Sequence, residues 1–118
     1  MKEFNDKNIQ DAIDNSKKPL VIVYCWGTSC GPCKMYSPIL EDIFKMPLVE
    51  VDIFKINVEE NGIDFRNKYS VRSLPTLLVF KKNLSMPNTP MYLDEVIVGL
   101  QPRIKILNIL EKLLTKLK

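Results

Sequence analysis

The apolar positions of this chain change period along its length, and the changes mark out its elements. "FNDKNIQDAIDNSKK" (4–18) spaces Phe4, Ile9, Ala12 and Ile13 as a sparse helical stripe. Asn5 or Asp6 is placed to cap that helix, and Pro19 ends it. "LVIVYCW" (20–26) is apolar and β-branched without alternation, the pattern of a strand buried on both faces. "CKMYSPILEDIFKM" (33–46) returns to helical spacing through Met35, Ile39, Ile43 and Met46. Pro38 lies inside that run, removes an amide donor and crowds the carbonyl of Lys34, so a kink is expected there. Pro47 closes the segment.

Beyond it, "VEVDIFKINV" (49–58) reads as a second strand and "GIDFRNKYS" (62–70) as a short helix. "LPTLLVFKK" (74–82) reads as a third strand with Pro75 at its start, where proline is tolerated. "NLSMPNTP" (83–90) is a loop, and "MYLDEVIVGL" (91–100) is a fourth strand ended by Gly99. A terminal helix begins near Pro102. Ile106, Leu107, Leu110, Leu113, Leu114 and Leu117 are its expected buried face. The order is α-β-α-β-α-β-β-α. An early β-α-β crossover implies parallel neighbours, and the short 83–90 connection implies a final antiparallel hairpin. The expected fold class is α/β: three layers, α/β/α, around a mixed, mostly four-stranded sheet.

Length fits one domain, 1–118, with no repeat or low-complexity segment. The formal charge of +3 is modest, and the lysines are scattered in pairs such as Lys17-Lys18 and Lys81-Lys82. That pattern describes a solvated surface and argues against a nucleic-acid partner. No apolar run approaches the roughly 18 residues of a membrane span. The polar opening "MKEFNDKNIQ" has no apolar secretory core, so a chain complete as written is expected in the cytoplasm.

The chemistry is concentrated between residues 25 and 33, where all three cysteines lie. In a reducing compartment a Cys-x-x-Cys pair is catalytic or metal-binding before it is structural. The chain has no histidine, and a zinc site would have to be built from a crowded Cys25, Cys30 and Cys33 set. No metal is expected. Cys30 and Cys33 fall where the first long strand ends and a helix begins. Unpaired amides at a helix N-terminus favour a thiolate, which makes Cys30 the nucleophile and Cys33, about a turn further in, the resolving thiol. Gly31 lets the chain turn tightly, and Pro32 pre-sets a helical φ. Cys25, among apolar strand residues, reads as a small core hydrophobe.

"WGTSCGPCK" (26–34) resembles the active-site segment of the thioredoxin family. "MYSPILEDI" is similar to the family's kinked second helix, "FKINVEEN" to the next strand and its exit, and "YSVRSLPTLLVFKK" to the segment holding the family's cis-proline. "VGL" (98–100) is similar to the glycine loop beside the active site, so the resemblance covers residues 4 to 117. It implies that Cys30 attacks and Cys33 resolves, and that Pro75, preceded by Leu74, is a cis-proline facing the pair. It also implies that Trp26 packs beside the pair and that Lys34 follows it as in the family. Val58, Leu74, Val98, Gly99 and Leu100 are implied to form an apolar groove for an extended substrate chain. The implied partners are disulfide-containing proteins and a flavin-dependent thioredoxin reductase. The chain itself is expected to be a monomer without a bound cofactor.

Four departures from the family pattern matter. Ser29 stands where thioredoxins usually have Trp, which removes an apolar wall from the docking surface. Tyr24 stands where they have a buried Asp that assists proton transfer, and a tyrosine with pKa near 10 is a poor base at neutral pH. Tyr24 is either core filling or a hydrogen bond to water or thiol near Cys33. Lys55 resembles the Asp's usual partner; it either reaches solvent or lowers a nearby thiol pKa. The 83–90 loop is longer than the family's hairpin turn, and the family's first edge strand is missing or cut to a few residues. The expected activity is thiol–disulfide oxidoreduction. The alternatives are a reductase dedicated to one partner and a binding module with secondary redox chemistry.

Overall fold

The computed structural model describes residues 1–117. Its elements are β1 (Lys2–Phe4), α1 (Ile9–Asp14), β2 (Leu20–Trp26), α2 (Gly31–Ile43), β3 (Val51–Asn57), α3 (Ile63–Lys68), β4 (Thr76–Lys81), β5 (Tyr92–Val98) and α4 (Arg103–Lys116). The sheet order is β1-β3-β2-β4-β5. β2 runs parallel to β3 and antiparallel to β4, and β4 and β5 form the expected antiparallel hairpin.

The sheet therefore has five strands, one more than the four the pattern marks out. The addition is β1, three residues paired in parallel with Phe54, Lys55 and Ile56. A strand so short, with one apolar side chain, is below the length at which a period of two can register.

β2 sits at the centre and is buried on both faces, as its unbroken apolar run implies. Its side chains alternate between two cores. Val21, Val23 and Cys25 pack with Ile9, Ile13 and Phe65 on the side of α1 and α3. Leu20, Ile22 and Tyr24 pack with Tyr36, Leu40, Ile106 and Leu110 on the side of α2 and α4. Helices on both faces of the sheet complete the three layers. No helix among the described residues is long and apolar enough to cross a membrane.

Three helical expectations are corrected. α1 is only six residues; Asn5 caps the turn that leads into it, its Oδ1 accepting the Lys7 amide at 2.9 Å and its carbonyl the Ile9 amide at 2.9 Å, whereas Asp6 does not cap it. Asp6 instead reaches the far end of the sequence pattern, accepting from the amides of Asp64 and Phe65 at 3.0 and 2.8 Å. These are free N–H groups at the start of α3, so Asp6 caps a helix nearly sixty residues away. The buried face of α2 is Cys33, Tyr36 and Leu40, with Ile43 partly buried. Met35 and Met46 are 65% and 74% exposed, so the stripe is rotated from the one read through the methionines. In α4, Leu107 is exposed, and Ile109 packs against the core instead.

Candidate active site

β2 ends at Trp26, and residues 27–30 turn from it into α2. The turn closes with the Cys30 amide donating to the Gly27 carbonyl at 3.2 Å. Cys30 occupies the N-cap of α2 in extended conformation, with Gly31 and Pro32 as the first helical residues. Its Sγ accepts from the Cys33 amide at 3.2 Å, one of the donors a helix start leaves unpaired. The two cysteines are joined as a disulfide, with Cα atoms 5.3 Å apart. Cys33 is buried, whereas Cys30 keeps 8% of its surface open to solvent. Of the two, Cys30 is the residue nearer to solvent. Gly31, Pro32, Lys34 and Ser29 are all exposed around it.

Register places the remaining groups at the same end of the sheet. Asn57 lies opposite Trp26, and Thr76 lies opposite Cys25. Val58 donates its amide to the Trp26 carbonyl at 2.9 Å. The Leu74–Pro75 peptide bond is cis, and the Pro75 carbonyl accepts from the Gly99 amide at 2.8 Å. Gly99 has φ of 89°, a left-handed conformation that favours glycine. Val98 and Leu100 are 54% and 39% exposed beside it. Leu74 is partly buried against the core. Val58 has no exposed surface and belongs to the core beneath, where it underlies the depression beside Ser29.

A family profile described as Thioredoxin matches residues 1–97. The thioredoxin of Buchnera aphidicola subsp. Acyrthosiphon pisum (strain APS) is 40% identical over 81 residues, 69% of this chain and 73% of that protein. The thioredoxin of Staphylococcus aureus (strain Mu50 / ATCC 700699) is 38% identical over 91 residues, 77% of this chain and 79% of that one. The chain belongs to the thioredoxin family. With its Cys-Gly-Pro-Cys pair, it is a thiol–disulfide oxidoreductase.

The positions where this chain departs from the family pattern have structural answers. Tyr24 is buried, and its hydroxyl donates to the backbone carbonyl of Cys33 at 3.2 Å, not to a thiol. It also shares a 2.8 Å bond with the Ser37 hydroxyl. Its ring meets Tyr36 edge-on, with centroids 5.8 Å apart. Burial pushes the Tyr24 hydroxyl above its ordinary pKa, and the Ser37 bond offsets part of that. The group beneath the cysteines is therefore a neutral hydroxyl pair. Ser37 carries no signal of its own in the sequence; only its place one helical turn beyond Cys33, facing β2, identifies it.

Lys55 does not run free to solvent. It lies between Glu3 and Glu41, with N–O separations of 3.9 and 3.8 Å. It joins the edge strand to α2, and at these distances and exposures the pairs contribute little to stability. Cys25 is a buried free thiol, and burial pushes its pKa up to about 12, with a smaller opposing influence from Arg66. It is inert core filling. Among the described residues, two buried donors lack partners, Trp26 Nε1 and the Tyr36 hydroxyl.

Proposed function

We propose that this chain is a single-domain thioredoxin that reduces protein disulfides. The Cys30 thiolate attacks one sulfur of a substrate disulfide, forms a mixed disulfide and releases the other sulfur as a thiolate. The Cys33 thiolate then attacks Cys30 Sγ and releases the second substrate thiolate. The substrate gains two electrons and the protein is left with a Cys30–Cys33 disulfide. The observation that carries this reading is the asymmetry of the pair: Cys30 at the helix start with 8% of its surface exposed, Cys33 a turn inside with 1%. Lys34 adds a positive charge beside the thiolate. Pro75, Leu74, Val98, Gly99 and Leu100 gather at the same end of the sheet and offer backbone and apolar surface to an extended substrate. Trp26 packs under that surface, and Tyr24 with Ser37 holds the Cys33 segment.

Disulfide-bearing proteins are the substrates in this reading. A thioredoxin reductase restores the dithiol, the chain acts as a monomer, and its compartment is the reducing cytoplasm. The test is reduction of insulin disulfides driven by dithiothreitol. Wild type accelerates it, Cys30→Ser abolishes the acceleration, and Cys33→Ser traps a mixed disulfide visible by intact mass. Acceleration that survives Cys30→Ser would refute the assignment.

A second reading is that the reductase serves one partner. It is favoured by exposed Ser29, which leaves an open depression of about 660 Å³ bounded by Thr28, Ser29, Glu59, Glu60 and Ile63. Slow turnover of insulin beside fast turnover of one native disulfide protein would distinguish it.

A further inference from the structure

The turn that presents Cys30 has a hollow over Gly27, and a side chain from the β3–α3 connection fills it. A Cβ built on Gly27 would fall 2.3 Å from Glu59 Cδ and 2.4 Å from its Oε1. The Glu59 carboxylate thus sits where any residue larger than glycine would place its side chain. From there Oε1 accepts the Ser29 amide at 2.7 Å, a short, charge-assisted bond to the residue next to the attacking cysteine. Glu59 is itself held. Its amide donates to Asn57 Oδ1 at 3.0 Å. Asn57, 3% exposed, uses its Nδ2 to donate to Thr28 Oγ1 at 3.0 Å. Thr28 Oγ1 donates onward to Glu60 Oε1 at 2.9 Å. Every residue of the turn from Gly27 to Ser29 is therefore touched by 57–60, and Cys30 closes the turn through the Gly27 carbonyl.

We propose that Glu59 is a positioning residue for Cys30. It fixes the orientation of the nucleophile by seating its carboxylate over Gly27 and binding the Ser29 amide. This rests on Cys30 being the attacking thiol. Gly27 leaves the seat empty, and its φ is not in the left-handed region, so what alanine there would meet is the Glu59 side chain and not backbone strain. Glu59 is a flexible side chain. Alanine at 27 is expected to displace it, so Gly27→Ala and Glu59→Ala should remove the same contact.

The test is the second-order rate at which the reduced protein attacks a small aromatic disulfide. It is read at fixed pH and well below the unfolding midpoint of every variant. Glu59→Ala and Gly27→Ala are each expected to slow attack about tenfold, the scale of one lost charge-assisted hydrogen bond. The double variant is expected to be no slower than either single, since both remove one seat. Glu59→Gln, whose amide oxygen can accept the same bond, is expected to stay within about threefold of wild type. A rate unchanged in Glu59→Ala, or a double variant slowed by the product of the singles, would overturn the proposal. A Glu59→Gln variant as slow as Glu59→Ala, despite an equal unfolding midpoint, would also overturn it. Failure of the redox reading is separable, because wild type would then show no attack at all.

Discussion

Replacing Tyr24 by Phe tests the hydroxyl pair beneath the active site. The change keeps the ring, its edge-on contact with Tyr36 and the packing of β2 against α2. It removes only the bonds from Tyr24 to the Cys33 carbonyl and to Ser37. Each such bond contributes about 1 kcal/mol net, so the variant should lose about 1–2 kcal/mol. Per kcal/mol, a domain of this size moves its midpoint by roughly 4 °C, which gives a fall of about 4–8 °C. Ser37→Ala should cost about 1 kcal/mol. The double variant should cost no more than Tyr24→Phe alone, because it leaves no hydroxyl stranded. The assay is urea unfolding at neutral pH with the disulfide intact, read by circular dichroism. If Tyr24→Phe is neutral, or if the two changes simply add, the pair is not the tie between β2 and the Cys33 turn that the geometry describes.

Other consequences follow from the same residues. Tyr24→Asp introduces a base near Cys33 and should speed resolution of the mixed disulfide, read by stopped-flow, while costing about 3 kcal/mol or more from the ring's lost packing; an unchanged or slower rate would contradict the role assigned to the missing carboxylate. Cys25 should set an alkaline limit on stability. Its pKa rises on folding from near 9 to about 12, so the folded state holds a proton the unfolded state releases, and stability falls as pH climbs through that interval. Between pH 9 and 10 the loss should approach roughly 1 kcal/mol, and Cys25→Ala should flatten that slope in urea titrations. Asp6→Ala should lower stability by about 1 kcal/mol through the uncapped start of α3, with faster amide exchange at Asp64 and Phe65.

How legible the fold was depended on whether a signal was local. The central strands β2 and β4 announce themselves as unbroken apolar runs because both of their faces are covered. The cysteine pair is legible for a similar reason: strand, turn, Gly-Pro and helix are contiguous. The phase of α2 was misread because methionine counts as apolar in a pattern yet sits exposed at Met35 and Met46, while Tyr36, which looks half-polar, is fully buried. Lys55 was legible as a strand residue but not as a link between Glu3 and Glu41, since its partners lie on two other elements. Asp6 over α3, Tyr24 with Ser37 and Glu59 over Gly27 join segments far apart in the chain. Such pairings leave no periodic trace in the sequence and follow only from the register of the sheet.

The most direct test of the account is the equilibrium potential of the Cys30–Cys33 couple, titrated against a defined thiol buffer with alkylation and intact mass as readout. The expected result is a reversible two-electron intramolecular disulfide with a potential of about −270 mV, in the range of reducing thioredoxins. A value of about −180 mV or higher would contradict the reducing role, and absence of an intramolecular disulfide at every poise would contradict the redox assignment itself.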